Sequence, residues 1–151
     1  MMPLRDQTGP DLRAGAAVTD LTPPGRVFLF GYPHVPRFST GVHDPLECAA
    51  LYLRSGGDAA LFLANDLIFV SREMARAVRL RIAAATGVPE AAIMITATHT
   101  HSGPITVDYV SNAADPVVPG ADPAYLQWAG DRMVEAAISA MQRAQPAEIG
   151  L

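Results

Sequence analysis

Cysteine is almost missing from this 151-residue sequence. The single Cys48 excludes an internal disulfide framework and any cysteine-rich zinc site. Set between Glu47 and Ala49, it reads as a small buried core residue rather than a reactive thiol. Charge is scarce too: 17% of residues are charged against 50% apolar, which excludes a disordered chain. The net charge of −4 leaves no basic excess to release counterions, so non-specific nucleic-acid binding is excluded as a function class. Long hydrophobic runs are missing as well, and no window reaches the apolar length that crosses a bilayer. Met1 to Ala14, with Asp6, Pro10 and Asp11, lacks the apolar core of a secretory signal peptide. A cytoplasmic protein is therefore the default expectation, with export left open. G-x-S-x-G, Walker A and dinucleotide-binding patterns are missing, and so are internal repeats and low-complexity tracts.

What is there reads as one α/β unit, long enough to bury a real core. Residues 1–13 are expected to be a flexible N-terminus. Ala14 to Asp20 reads as a short strand, ended by Leu21-Thr22-Pro23-Pro24-Gly25 because that run cannot continue a sheet. The aromatic, irregular stretch from Arg26 to Gly41 reads as a loop. Leu46 to Arg54 and Ala59 to Ala64 are two strands joined by Ser55-Gly56-Gly57-Asp58, a hairpin signal. Ser71 caps a helix carrying Met74, Val78, Ile82 and Ala85 at near-helical spacing, stopped by Gly87 and Pro89. Arg72, Arg76 and Arg79 read as its solvated side. Ala92 to Ala97 is a further strand, so residues 59 to 97 form a β-α-β unit with a parallel pair. After a long loop from Ser102 to Ala121, Asp122-Pro123 caps a second helix with Leu126, Ala129, Met133, Ala137, Ala140 and Met141 as its buried stripe. Pro146 ends it, and Ala147 to Leu151 reads as the opening of another, unpaired strand. The expected fold class is α/β, a mixed sheet with packed helices, incomplete at its C-terminal edge.

The chemistry-bearing residues gather behind the last apolar run, in Ala97-Thr98-His99-Thr100-His101-Ser102-Gly103-Pro104. On a strand, residues i and i+2 share a face, so His99 and His101 are expected to project together from a strand end. Asp66 ends the neighbouring strand, and ligands of open α/β sheets sit outside the carboxyl ends of strands. Neutral imidazole suits zinc, but a catalytic site takes about three protein ligands plus water. An H-x-H pair supplies two, with Asp66 or His43 as local candidates for a third. The alternative is a pair of polar loop histidines satisfied by backbone and water. Asp66 is either a carboxylate supporting such a site or a cap for the helix near Ser71. His43-Asp44-Pro45 reads as a turn, and His34, between two prolines, as a loop residue. The aromatic run from Phe28 to Phe38 is either a substrate wall or a core anchor. Ser102 beside His101 does not by itself make a catalytic pair.

Taken in order, these segments resemble the N-terminal part of the neutral/alkaline (non-lysosomal) ceramidase family. Ala14 to Pro23 looks like that family's opening strand. Gly31-Tyr32, Gly41-Val42-His43-Asp44-Pro45-Leu46 and Asn65-Asp66-Leu67 follow at familiar spacing, and Ala97 to Pro104 matches its T-H-T-H-S-G-P signature. The resemblance covers residues 14–151, which it makes the N-terminal part of a catalytic domain. It implies a Zn2+-dependent hydrolase that splits N-acyl sphingoid lipids into a sphingoid base and a fatty acid, zinc serving as Lewis acid and lowering a water's pKa. On the same ground His99 is implied as the metal ligand, and His101 and Asp66 as the catalytic residues beside it, His101 as a neighbouring or substrate-contacting group. The family's other zinc ligands, a second histidine, a glutamate and a tyrosine, lie further downstream, and no histidine follows His101 here. The chain is thus expected to be a fragment, inactive alone, whose full protein takes a small-molecule or lipid amide substrate. Two readings compete: another H-x-H metal hydrolase, and a non-catalytic α/β binding module that is a degenerate paralogue.

Overall fold

The computed structural model describes residues 12–32, 34–108 and 115–150. The expected flexible segment 1–13 lies outside them except for Leu12 and Arg13, which already belong to the first strand. Five strands form one mixed sheet: β1 (Leu12–Asp20), β2 (Glu47–Ser55), β3 (Asp58–Asn65), β4 (Ile93–Ala97) and β5 (Gln145–Pro146). Their order is β4-β3-β2-β1-β5. The pairs β1–β2, β2–β3 and β1–β5 are antiparallel, and β3–β4 is parallel. The Gly56-Gly57 hairpin forms as the sequence indicates, with Gly56 at φ 57° where a side chain would be strained.

Among the described residues two α-helices complete the layer, α1 (Arg72–Thr86) and α2 (Pro123–Gln142). Their ends follow local chemistry. The Ser71 side chain accepts from the Met74 amide, and Gly87, left-handed at φ 75°, closes α1. The Asp122 carboxylate accepts from the Ala124 amide ahead of Pro123. Arg79 leaves the solvated side expected of it, and its guanidinium donates to the Ile93 carbonyl at 2.8 Å, pinning α1 to β4. Ala85 is exposed rather than buried, because α1 turns only Val78 and Ile82 fully into the core.

The main core lies between one face of the sheet and both helices. Ala17, Cys48, Ala50, Tyr52, Leu61, Leu63 and Ile93 meet Val78, Ile82, Ala129, Met133 and Ala137 there. A second apolar cluster, with Phe28, Phe30, Ile68, Ile105, Val107 and Val118, ties the loops at the strand ends. Phe28 and Phe30 are therefore core anchors of the aromatic loop. The expected strand over residues 147–151 is corrected. The strand is Gln145–Pro146, and it pairs with Arg13 and Ala14 at the β1 edge. Proline is tolerated there because an edge strand needs no amide on its outer side.

Cys48 is buried, as its neighbours suggested. Burial pushes its thiol from the ordinary 9.0 up to about 12, against a lowering contact from Thr19. Burial likewise raises the Tyr125 phenol, whose hydroxyl donates to the Leu21 carbonyl at 2.8 Å. A raised folded pKa stabilises the fold fully below the unfolded value and is lost as pH rises through the folded one. The urea midpoint is therefore expected to hold level to roughly pH 8.5 and to fall steeply from about 9 to about 12. Cys48→Ala with Tyr125→Phe should flatten that fall. A midpoint that is unchanged at alkaline pH would show that neither group is protected as described.

Candidate functional site

Beyond Ala97 the chain leaves β4 and turns at once. The His99 amide donates to the Leu67 carbonyl at 3.0 Å, and His99 adopts φ 64°, a left-handed backbone that non-glycine residues rarely take. The two histidines do not share a strand face, so that expectation is corrected. Their rings nonetheless meet, with centroids 5.2 Å apart at 70°. The left-handed turn brings them together where strand periodicity cannot.

Each ring is held from outside the pair. The His99 Nδ1 lies 3.0 Å from the Ile68 carbonyl. A carbonyl only accepts, so Nδ1 carries a proton, and in the neutral ring the lone pair is then on Nε2. The Phe69 ring stands edge-on to His99 at 4.9 Å. His101 has Tyr32 edge-on at 5.4 Å, and Arg37 stacks over the Tyr32 face at 4.2 Å. The same guanidinium donates to the His101 carbonyl at 3.3 Å. Gly31, at φ 103°, passes directly beneath the His101 ring, where a Cβ would come within 2.7 Å of its Cγ and Cε1. Gly31, Tyr32, Arg37 and the Ile68 carbonyl were not singled out as site groups from sequence. The Gly31-Tyr32 pair was the available signal, since a glycine before an aromatic permits a close approach.

Asp66 sits at the end of β3, and its oxygens are engaged by the scaffold. One accepts from the Glu47 amide at 3.1 Å, the other from the Thr98 hydroxyl at 3.2 Å. It ties the start of β2 to the residue before His99, and it does not cap α1, where Ser71 has that role. His43 bonds its own neighbour Asp44 at 2.7 Å on an exposed turn, with 98% of its side chain accessible. His34 is a loop residue at φ 61°, whose amide donates to Asp115 at 2.6 Å while its Nδ1 lies 3.1 Å from the same carboxylate. Burial works against ionisation of Asp115, but the Val117 and His34 amides and the His34 ring hold its carboxyl below the usual range. Among the described residues no third His, Cys, Asp or Glu joins the pair to make a metal-holding group.

Two clefts flank the Thr100–Pro104 loop. One, of about 710 Å³, is of mixed polarity and includes Arg37, His43, Asp66, Thr100 and Ser102. The other, of about 390 Å³, is apolar and includes Pro23, Phe28, Pro104, Tyr125 and Trp128. They share Pro23, Val27 and Pro104, and neither is lined by the two imidazoles.

The described residues thus join a mixed α/β sheet to two imidazoles that meet just beyond a strand end. Comparison with solved structures makes the likeness particular. The chain is similar to the crystal structure of neutral ceramidase from Pseudomonas aeruginosa, with TM-score 0.78 and 25% identity over 91% of this chain. It is also similar in fold to a ceramidase complexed with C2, with TM-score 0.77 and 24% identity over 91% of this chain. In both cases it spans 22% of the matched chain, so the fold is that of a part of those enzymes. No family model and no curated protein sequence matches the chain.

Proposed function

We propose that this chain is the histidine-bearing part of a zinc-dependent amide hydrolase of the ceramidase type. In the full protein its substrate is an N-acyl sphingoid lipid, released as sphingoid base and fatty acid. The observation that carries this reading is the locked His99 tautomer. The Ile68 carbonyl accepts a hydrogen bond from Nδ1–H, which in the neutral ring leaves the lone pair on Nε2 of an exposed side chain. That is the arrangement by which proteins prepare a metal-ligating histidine. The likeness to neutral ceramidase supports the same reading.

Zinc, when bound, supplies Lewis acidity and lowers the pKa of a water. His99 would hold it through Nε2, with its remaining ligands outside the described residues. His101, a ring's width away, is placed to contact the substrate or donate a hydrogen bond to it. Asp66 acts as a positioning residue, because its carboxylate holds Thr98 and through it the turn at His99. The apolar cleft offers surface for a hydrocarbon portion of substrate beside the same loop. With one or two imidazoles for a site that needs about three protein ligands, residues 1–151 alone are expected to be inactive.

The test is His99→Ala in the protein purified from its own reading frame, with His101→Ala beside it. The expected result is loss of bound zinc by elemental analysis in the first variant. N-acylsphingosine hydrolysis should fall by at least about 100-fold in that variant, while His101→Ala retains zinc and loses activity. Zinc content and hydrolysis unchanged in His99→Ala would leave the non-catalytic binding module as the better reading. Zinc retained with no action on N-acylsphingosine would favour another H-x-H hydrolase.

A further inference from the structure

The helices cover only one face of the sheet. The residues that alternate onto the other face are mostly apolar across four strands, with Ser55 and Thr96 as uncharged polar members. Leu12, Ala14, Ala16 and Val18 on β1 lie beside Ala49, Leu51 and Leu53 on β2, then Ala60, Phe62 and Ala64 on β3, then Met94 on β4. Register makes one continuous row of them: Ala16 pairs with Leu51, Leu51 with Phe62, and Phe62 with Met94. Four of these side chains stand in the open, with Val18 at 54%, Leu51 at 41%, Phe62 at 41% and Met94 at 52% exposure. A sheet with one solvated face carries polar residues on it, whereas strands apolar on both faces belong to a sheet covered on both. The charges of these four strands on the outer face are confined to its ends, Asp20 and Glu47 at one and Asp58 at the other, while Arg143 borders Ala14, Ala16 and Leu51 at the β5 edge.

We propose that this outer sheet face is an internal docking surface, covered by a second layer of the same polypeptide that lies outside residues 1–151. That layer presents an apolar centre to the Leu51–Phe62–Met94 row. One observation selects this occupant over a second copy of the chain. The solved chains of the same fold are several times longer than the stretch this one matches, 22% of each. The inference rests on the reading of the chain as part of a ceramidase-type protein but not on its zinc chemistry, so footprint and zinc content fail separately.

Methionine supplies the test. Met94 ends the apolar row on β4, at one edge of the sheet, and Met133, at 0% exposure, is buried between sheet and helices. The protein purified from its own reading frame is treated with hydrogen peroxide, native and unfolded, and oxidation of each methionine is followed by peptide mass mapping. Its assembly mass is measured by sedimentation. The expected result is that Met94 in the native protein oxidises as slowly as Met133, at least about ten-fold slower than when unfolded. The mapped polypeptide should extend beyond residue 151 and sediment as one chain. Fast oxidation of native Met94 overturns the proposal. Protection confined to an assembly of two copies, or to a complex with a separate chain, also overturns it.

Discussion

Gly15→Ala is expected to cost the fold more than any other single methyl group added to it. Gly15 lies mid-strand in β1, at an ordinary strand conformation, so its backbone does not require glycine. Space does. A Cβ there would run into the Ala140 carbonyl oxygen and come within 2.8 Å of the Ala144 nitrogen and 3.0 Å of its Cα. All three are backbone atoms at the end of α2, which cannot rotate away as a side chain would. The strand must therefore part from the helix, and with it the contact of the Arg13 guanidinium with the Ala144 carbonyl at 2.7 Å. Overpacking of this kind costs about 3 kcal/mol or more. In a domain of this size that lowers the melting temperature by roughly 10 °C. Gly57→Ala is the control, since nothing lies within 4 Å of a Cβ at that hairpin position. Its change should stay within about 1 kcal/mol. Thermal denaturation followed by circular dichroism measures both, and equal melting temperatures would mean that β1 and α2 do not approach as closely as described.

The same contrast explains what was legible in the sequence. The hairpin, both helix caps and the β-α-β unit are written in adjacent residues: Gly56-Gly57, Ser71, Gly87 and Asp122-Pro123. Each acts on its own stretch of backbone, so local reading finds it. β5 was misplaced because two residues ending in proline carry no strand pattern, and only pairing with Arg13 and Ala14, more than a hundred residues away, makes them a strand. The histidine pair was recognised, yet its geometry was misjudged for the same reason. The left-handed turn at His99 is held by carbonyls of Leu67 and Ile68, contributed by the segment after β3. Asp66 was placed correctly at a strand end. That its carboxylate grips Glu47 and Thr98 depended on three segments meeting, and no spacing in the sequence encodes that.

Gly31→Ala is expected to leave the protein folded and disable its site. The substitution meets two obstacles at once. At φ 103° an alanine is strained, at a cost of about 1–3 kcal/mol. Its methyl would also occupy the position of the His101 ring, within 2.7 Å of two ring atoms. Unlike the helix backbone facing Gly15, an imidazole can swing aside, so the steric conflict resolves by moving His101 rather than by unfolding. Swinging it breaks the edge contact with Tyr32 and alters the 5.2 Å spacing to His99, whose own tether to Ile68 is untouched. A displacement of about 1 Å at a reacting centre costs on the order of 100-fold in rate. On the proposed function, hydrolysis by the full protein should fall by about that factor, chiefly in kcat, with zinc content retained because His99 is undisturbed. Imidazole resonances in NMR spectra report the movement without any activity: those of His101 should shift and those of His99 should stay near their wild-type positions. Unchanged His101 resonances with full activity would mean that Gly31 is only a loop glycine. Loss of zinc along with activity would mean that the two imidazoles are held as a unit.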